Sequence, residues 1–179
     1  MPRDERVIRS TRIYEGHVVS VRLDDVELPS GRTTVREIVE HRGAVAVVPL
    51  TPGGDVLLVR QYRAPAGRRL LEIPAGTMEP GESVEGCAAR ELAEEVGMRA
   101  RRWQPLGAIY PSPGFLTEVV HLFVAGDLSP HTLEAEEEDL EVVAVPLADA
   151  RRLVLAGDIC DAKSVAGILL ASLREAGRP

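Results

Sequence analysis

The 179-residue chain is 45% apolar and 27% charged, the composition of a globular protein with room for its own core. Its 28 acidic and 21 basic side chains leave a formal charge of −7, which argues against a nucleic-acid binder and against attraction to anionic membranes. No stretch approaches the ~20 apolar residues that cross a bilayer, and the charged start MPRDERVIRS holds no apolar signal core.

In chain order, alternating apolar residues predict a strand over Val19 to Leu28, closed by the turn Pro29-Ser30-Gly31 and paired with Thr33 to Val39 in a hairpin. Ala44 to Leu50 is a continuous apolar run of buried-strand length. The turn Thr51 to Asp55 leads into a strand over Val56 to Tyr62, a loop over Arg63 to Arg69 and a short strand over Leu70 to Ile73. A loop from Pro74 to Gly81 precedes a helix over Ser83 to Val96, with Gly97 where a helix-ending glycine belongs. Trp103 to Tyr110 and Val119 to Ala125 read as strands, Gly126 to Leu140 as a polar loop and Glu141 to Val145 as a last strand. Helices near Leu147 to Ala156 and Asp161 to Ala176 close the chain. The order predicts a mixed sheet covered by helices. Cys87 and Cys160 are too few for a disulfide scaffold, so reduced thiols and a cytoplasmic protein are expected. Lys163 is the one lysine against twenty arginines.

The acids are unevenly spread. Seven glutamates lie between Glu72 and Glu95, and six more acids between Glu134 and Glu141. Residues four apart on a helix lie ~40° apart, so Val84, Ala88, Leu92 and Val96 form the core-facing row of the predicted helix. Glu91 and Glu95 project at the edge of that face and Glu94 flanks them. Like charges at this spacing repel, and partial burial sharpens the repulsion. Protonation relieves it, and so does a divalent cation with a preference for oxygen ligands.

The segment GTMEPGESVEGCAARELAEEVGM, Gly76 to Met98, resembles the Nudix box G-x5-E-x7-R-E-U-x-E-E-x-G-U, where U is a bulky apolar residue. Gly76, Glu82, Arg90, Glu91, Leu92, Glu94, Glu95, Gly97 and Met98 match at the required spacing. The resemblance implies a Nudix-type α/β/α sandwich with a mixed sheet, preceded by an N-terminal antiparallel β-hairpin region. It implies metal-dependent hydrolysis of a nucleoside diphosphate linked to another group. Glu91, Glu95 and the backbone carbonyl of Ala75 would hold the metal, expected to be Mg²⁺ with Mn²⁺ or Zn²⁺ open. Glu94 would act nearby, and Glu82 and Arg90 would brace the loop against the helix.

Outside the box, Arg60-Gln61-Tyr62-Arg63, Leu71 to Gly76, Arg36 to His41, Ser112-Pro113-Gly114 and Gly157 to Ser164 resemble the ADP-ribose pyrophosphatase branch. That resemblance implies that Arg63, Ser112 and Glu118 contact the substrate. It implies that Arg36, Glu37 and His41 do so from the partner subunit of a homodimer that exchanges N-terminal strands. The expected division is an N-terminal strand region, residues 1–42, and a hydrolase domain, residues 43–179. In the second acidic run the resemblance favours Glu136 as general base and Glu138 as a further metal ligand, with Glu137 an alternative base. The substrate expected is ADP-ribose. Another nucleoside diphosphate sugar or NADH is the first alternative, and a non-catalytic ADP-ribose-sensing module the second. No nucleic acid or membrane partner is expected.

Overall fold

A computed structural model describes residues 4–131 and 140–176. The chain forms two units: Met1–Gly43 with Tyr110–Val119, and Ala44–Ile109 with Val120–Pro179. Among the described residues no helix is long and apolar enough to cross a membrane.

In the first unit β1 (Arg6–Glu15), β2 (Val19–Glu27) and β3 (Thr33–His41) form an antiparallel meander. The hairpin predicted from the alternation is β2–β3. Its turn is closed by Leu28 N–H donating to Arg32 O at 2.8 Å, with Gly31 at φ 81°. The strand β1 was not legible in the sequence. Arg6, Arg9 and Arg12 recur every third residue, and two register shifts break the period of two. Cross-strand charge pairs, Arg6–Glu27 at 2.6 Å and Arg9–Asp25 at 2.7 Å, do what apolar alternation does elsewhere. Every residue of β1 is exposed. Phe115 O and Thr117 N–H bond Val39, which ties the segment Tyr110–Val119 to β3.

The second unit holds two sheets. A mixed four-stranded sheet runs β7 (Ala75–Thr77), β4 (Ala44–Pro49), β9 (Val120–Pro130), β8 (Met98–Ile109), with β4 and β9 parallel. An antiparallel sheet runs β10 (Glu141–Pro146), β5 (Asp55–Arg63), β6 (Arg68–Glu72). All six residues of β4 are buried, as its unbroken apolar run requires. Val45, Val47, Leu57 and Val59 pack against Cys87, Ala88, Leu92 and Val96 of α1 (Val84–Val96). The alternate residues Ala46, Val48, Val56 and Leu58 pack against Ala150 of α2 (Leu147–Ala156) and Ile168 and Ala171 of α3 (Ala162–Ala176). Helices therefore cover both faces, as expected for the sandwich.

Beyond shifts of one or two residues at β3, β5 and β6, three strands depart from expectation. The strand β8 begins at Met98 and β9 continues to Pro130, so the two extend beyond the predicted strands. Their outer halves carry Arg99, Arg101, Arg102 and Asp127, and long antiparallel pairing sustains them without an apolar pattern. The strand β7 lies inside the predicted loop Pro74 to Gly81. Three residues including a glycine hold no periodicity, and pairing with Ala44–Ala46 alone makes them a strand.

The helix α1 starts on Ser83, whose hydroxyl accepts from Gly86 N–H at 3.0 Å, and ends on Gly97 at φ 67°. At Gly167 the missing side chain matters: a Cβ there would lie 2.8 Å from Ile73 Cδ1 and 3.1 Å from Val48 Cγ2. Gly167→Val is expected to lower stability by about 1–3 kcal/mol through overpacking, read as a lower urea midpoint at unchanged slope.

Candidate active site

The exposed edge of α1 meets β7 through charged side chains. Glu95 Oε2 accepts from Ala75 N–H at 2.9 Å. At Gly76 a Cβ would fall directly on the Glu91 carboxylate, so only glycine admits that carboxylate so close to the backbone. Two carboxylates four residues apart thus converge on two successive residues of β7.

Arg90 organises the other acids. Its Nε and Nη2 donate to the two Glu82 oxygens at 2.9 and 3.0 Å, and its Nη1 donates to Glu91 at 2.7 Å and Glu94 at 2.9 Å. Nη2 also reaches Thr77 O at 3.3 Å, so one guanidinium spans the loop, the helix and β7. Glu82 in turn accepts from Glu79 N–H at 3.0 Å. The Glu82 carboxyl is drawn down to about 2, chiefly by the bonds from Arg90. Glu91 moves the other way: burial pushes its carboxyl up, and the charges of Glu94 and Glu82 add to the rise against the pull of Arg90. Burial and the hydrogen-bonded Glu82 push the Cys87 thiol up to about 12, so that sulfur is an inert packing atom.

The donor set fits a hard divalent cation. It offers carboxylate oxygens from Glu91, Glu94 and Glu95 beside backbone, and the buried Glu91 shares its one guanidinium partner with Glu82 and Glu94. Among the described residues no three His, Cys, Asp or Glu side chains are arranged to enclose an ion by themselves. A site with few protein ligands leaves positions for water and phosphate oxygens.

Arg63, at the end of β5, donates through Nη2 and Nε to Glu72 of β6 at 2.8 and 3.1 Å. Glu72 is almost fully buried. Burial alone would raise its carboxyl, but Arg63 and Lys163 outweigh it and hold it below the usual range. Lys163 Nζ reaches Glu72 Oε2 at 2.6 Å and Asp161 Oδ2 at 2.7 Å. No pattern in the sequence assigns a role to Glu72, Asp161, Lys163 or Ser164. The available signal was the solitary lysine in an arginine-rich chain.

In the first unit, the His41 imidazole is nearly buried. Its Nδ1 accepts from Gly43 N–H at 3.1 Å and lies 3.7 Å from Glu118 Oε1, so these two predicted residues come together. Thr117 Oγ1 accepts from His41 N–H at 2.9 Å. Arg36 pairs with Glu5, through Nε at 3.0 Å, and Glu37 is exposed on β3. Ser112 heads a turn, its carbonyl accepting from Phe115 and Leu116 N–H. Glu136, Glu137 and Glu138 lie outside the described residues.

Comparison with known proteins gives two family matches. The NUDIX domain matches residues 40–166, and the nucleoside diphosphate sugar hydrolase N-terminal domain matches residues 5–39. The chain is 43% identical over 178 residues to an ADP-ribose pyrophosphatase of Bacillus subtilis (strain 168), covering 97% of this chain and 95% of that one. It is 39% identical over 176 residues to a methanol dehydrogenase activator of Bacillus methanolicus, with 97% and 95% covered. A crystal structure of an ADP compounds hydrolase superposes with a TM-score of 0.88 at 29% identity, over 100% of this chain and 99% of that one.

Two outcomes follow from the geometry. Glu82→Gln is expected to destabilise the protein by about 1–2 kcal/mol at pH 7. The Glu82 carboxyl lies lower in the folded chain than the ordinary 4.5. Its stabilisation is therefore present above 4.5 and fades as pH falls towards about 2, so urea curves of variant and parent should converge over that window. Gly76→Ala should displace the Glu91 carboxylate and weaken Mn²⁺ binding by about 10-fold or more, read by electron paramagnetic resonance titration.

Proposed function

The chain belongs to the Nudix hydrolases, and we propose that within this family it cleaves the pyrophosphate of ADP-ribose, with AMP and ribose 5-phosphate as products. The observation that carries the substrate is similarity along nearly the whole chain to an ADP-ribose pyrophosphatase. The likeness to an ADP compounds hydrolase supports an ADP moiety in the same way.

Nudix hydrolases generally need a divalent metal ion, and Mg²⁺ is our assignment for this one. Glu91, Glu95 and the carbonyl of Ala75 would hold it, with Glu138 joining them from outside the described residues. When bound, the ion offsets the charge of the pyrophosphate and eases ionisation of water. Glu136 takes the proton of the attacking water, with Glu137 as the alternative base. The water oxygen forms a bond to phosphorus, the bridging P–O bond breaks, and the departing phosphate retains that electron pair. Arg63 offers a guanidinium already aligned by Glu72 to an anionic oxygen of the substrate. Ser112 and Glu118 complete the contacts from the same chain.

Arg36, Glu37 and His41 serve the site of a second subunit in a homodimer with exchanged N-terminal strands. The reading is supported by Val7, Ile8, Ile13 and Tyr14 of β1, four large apolar side chains that are each more than half exposed in the single chain. On this reading residues 1–42 form the exchanged region and residues 43–179 the hydrolase domain. The free thiols Cys87 and Cys160 accord with the cytoplasm.

A substrate panel tests the assignment. With Mg²⁺, kcat/KM for ADP-ribose should exceed that for GDP-mannose and NADH by about 10-fold or more, with AMP identified by chromatography. A preference for either competitor overturns the substrate, and binding of ADP-ribose without AMP release overturns catalysis. Glu95→Gln should reduce kcat by about 1,000-fold at an unchanged melting temperature. Glu136→Gln should slow turnover about 100-fold while leaving Mn²⁺ affinity within about 2-fold.

A further inference from the structure

Behind the active-site edge lies a cluster of which the proposed steps use only Glu72. The N-terminal turn of α3 is capped by Asp161, whose Oδ2 accepts from Ser164 N–H at 3.1 Å. From this turn two side chains reach the β6–β7 connection. Ser164, fully buried, accepts from Ile73 N–H at 2.8 Å. Lys163 bridges Asp161 and the buried Glu72. The helix lies close because Gly167 has no side chain to hold it away from Ile73 and Val48.

These ties act on two residues already placed in the site. Glu72 fixes two donors of Arg63, so whatever fixes the Glu72 carboxylate sets the orientation of the Arg63 guanidinium. Ile73 precedes Pro74 and Ala75, and Pro74 O accepts from Val47 N–H at 2.9 Å. The backbone entering Ala75 is therefore held by β4 at one residue and by Ser164 at the residue before it.

We propose that Lys163 and Ser164 are positioning residues of the hydrolase: Lys163 orients Arg63 through Glu72, and Ser164 sets the backbone that leads to Ala75. Arginine at 163 would be a poor substitute, because a compact ammonium fits between two carboxylate oxygens where a planar fork requires more width. This position holds the chain's single lysine. The inference rests on the active-site reading above.

Steady-state kinetics and Mn²⁺ titration by electron paramagnetic resonance, the latter without substrate, test the two arms separately. Lys163→Met should raise KM about 10-fold with kcat within about 3-fold and Mn²⁺ affinity within about 2-fold. Lys163→Arg should recover part of the KM and not all of it. Ser164→Ala leaves the buried Ile73 N–H without its acceptor and should weaken Mn²⁺ binding about 5-fold or more. A purely structural role would lower the melting temperature of each variant and leave KM and Mn²⁺ affinity at parental values; that outcome overturns the proposal. Should Lys163→Met fail to fold, Lys163→Gln keeps two donors without the charge and is read by the same criterion. If the panel selects a nucleotide other than ADP-ribose, KM is measured on that nucleotide. The Mn²⁺ arm is independent of substrate identity, so failure of the substrate reading stays distinguishable from failure of this one.

Discussion

Three carboxylates on one edge of a half-buried helix repel one another, and Arg90 is what the protein sets among them. A single guanidinium bonds Glu82, Glu91 and Glu94, and it also reaches Thr77 O. Its five N–H donors in a fixed plane make this possible; a lysine at that position would be a point charge without the fork. The loop before α1, the helix itself and β7 are therefore fastened at one group. If that group were lost, the buried Glu91 would remain with no counter-charge, a costly defect in a folded chain.

The stretch from Glu72 to Thr77 is held from three sides. From α1 come Glu95 to Ala75 N–H, Glu91 over Gly76 and Arg90 to Thr77 O. From β4 come the pairing of Ala44–Ala46 with β7 and the bond from Val47 N–H to Pro74 O. From α3 come Ser164 to Ile73 N–H and Lys163 to Glu72. The two helices lie on opposite faces of the sheet formed around β4, so the strip is gripped through the sandwich and not merely from one side. A reactive centre that needs carbonyl and carboxylate oxygens fixed to within a fraction of an ångström has a rigid support of this kind.

The legible parts of the sequence were those with a local cause. The run Ala44 to Leu50 announces a strand buried on both faces, and Ser83, the Val84-Ala88-Leu92-Val96 row and Gly97 announce α1 with both caps. Helix spacing put Glu91 and Glu95 on one edge of that helix, and the resemblance to the Nudix box implied the pairing of Glu82 with Arg90. What stayed hidden was made by tertiary partners. The strand β1 is held by arginines facing acids across a strand, β7 by three residues of β4, and the outer halves of β8 and β9 by each other. Lys163 and Glu72 are 91 residues apart, and no periodicity joins them.

The sequence showed a net charge of −7 with acids crowded into two short runs. In the structure, Glu82 and Glu91 share the same arginine at similar distances, 2.9 and 2.7 Å, yet their carboxyls shift in opposite directions. Proximity to Arg90 therefore does not decide the matter. Glu82 accepts two bonds from the guanidinium and one from backbone N–H, and it lies where water still reaches. Glu91 accepts one, is buried, and faces two like charges. The same residue type is thus divided into a carboxylate whose charge is balanced and one whose charge is not. Gly76, with no Cβ, lets the less compensated carboxylate, Glu91, lie against the backbone of β7. Excess negative charge in the composition is therefore compensated unevenly at this one edge, more fully at Glu82 than at Glu91.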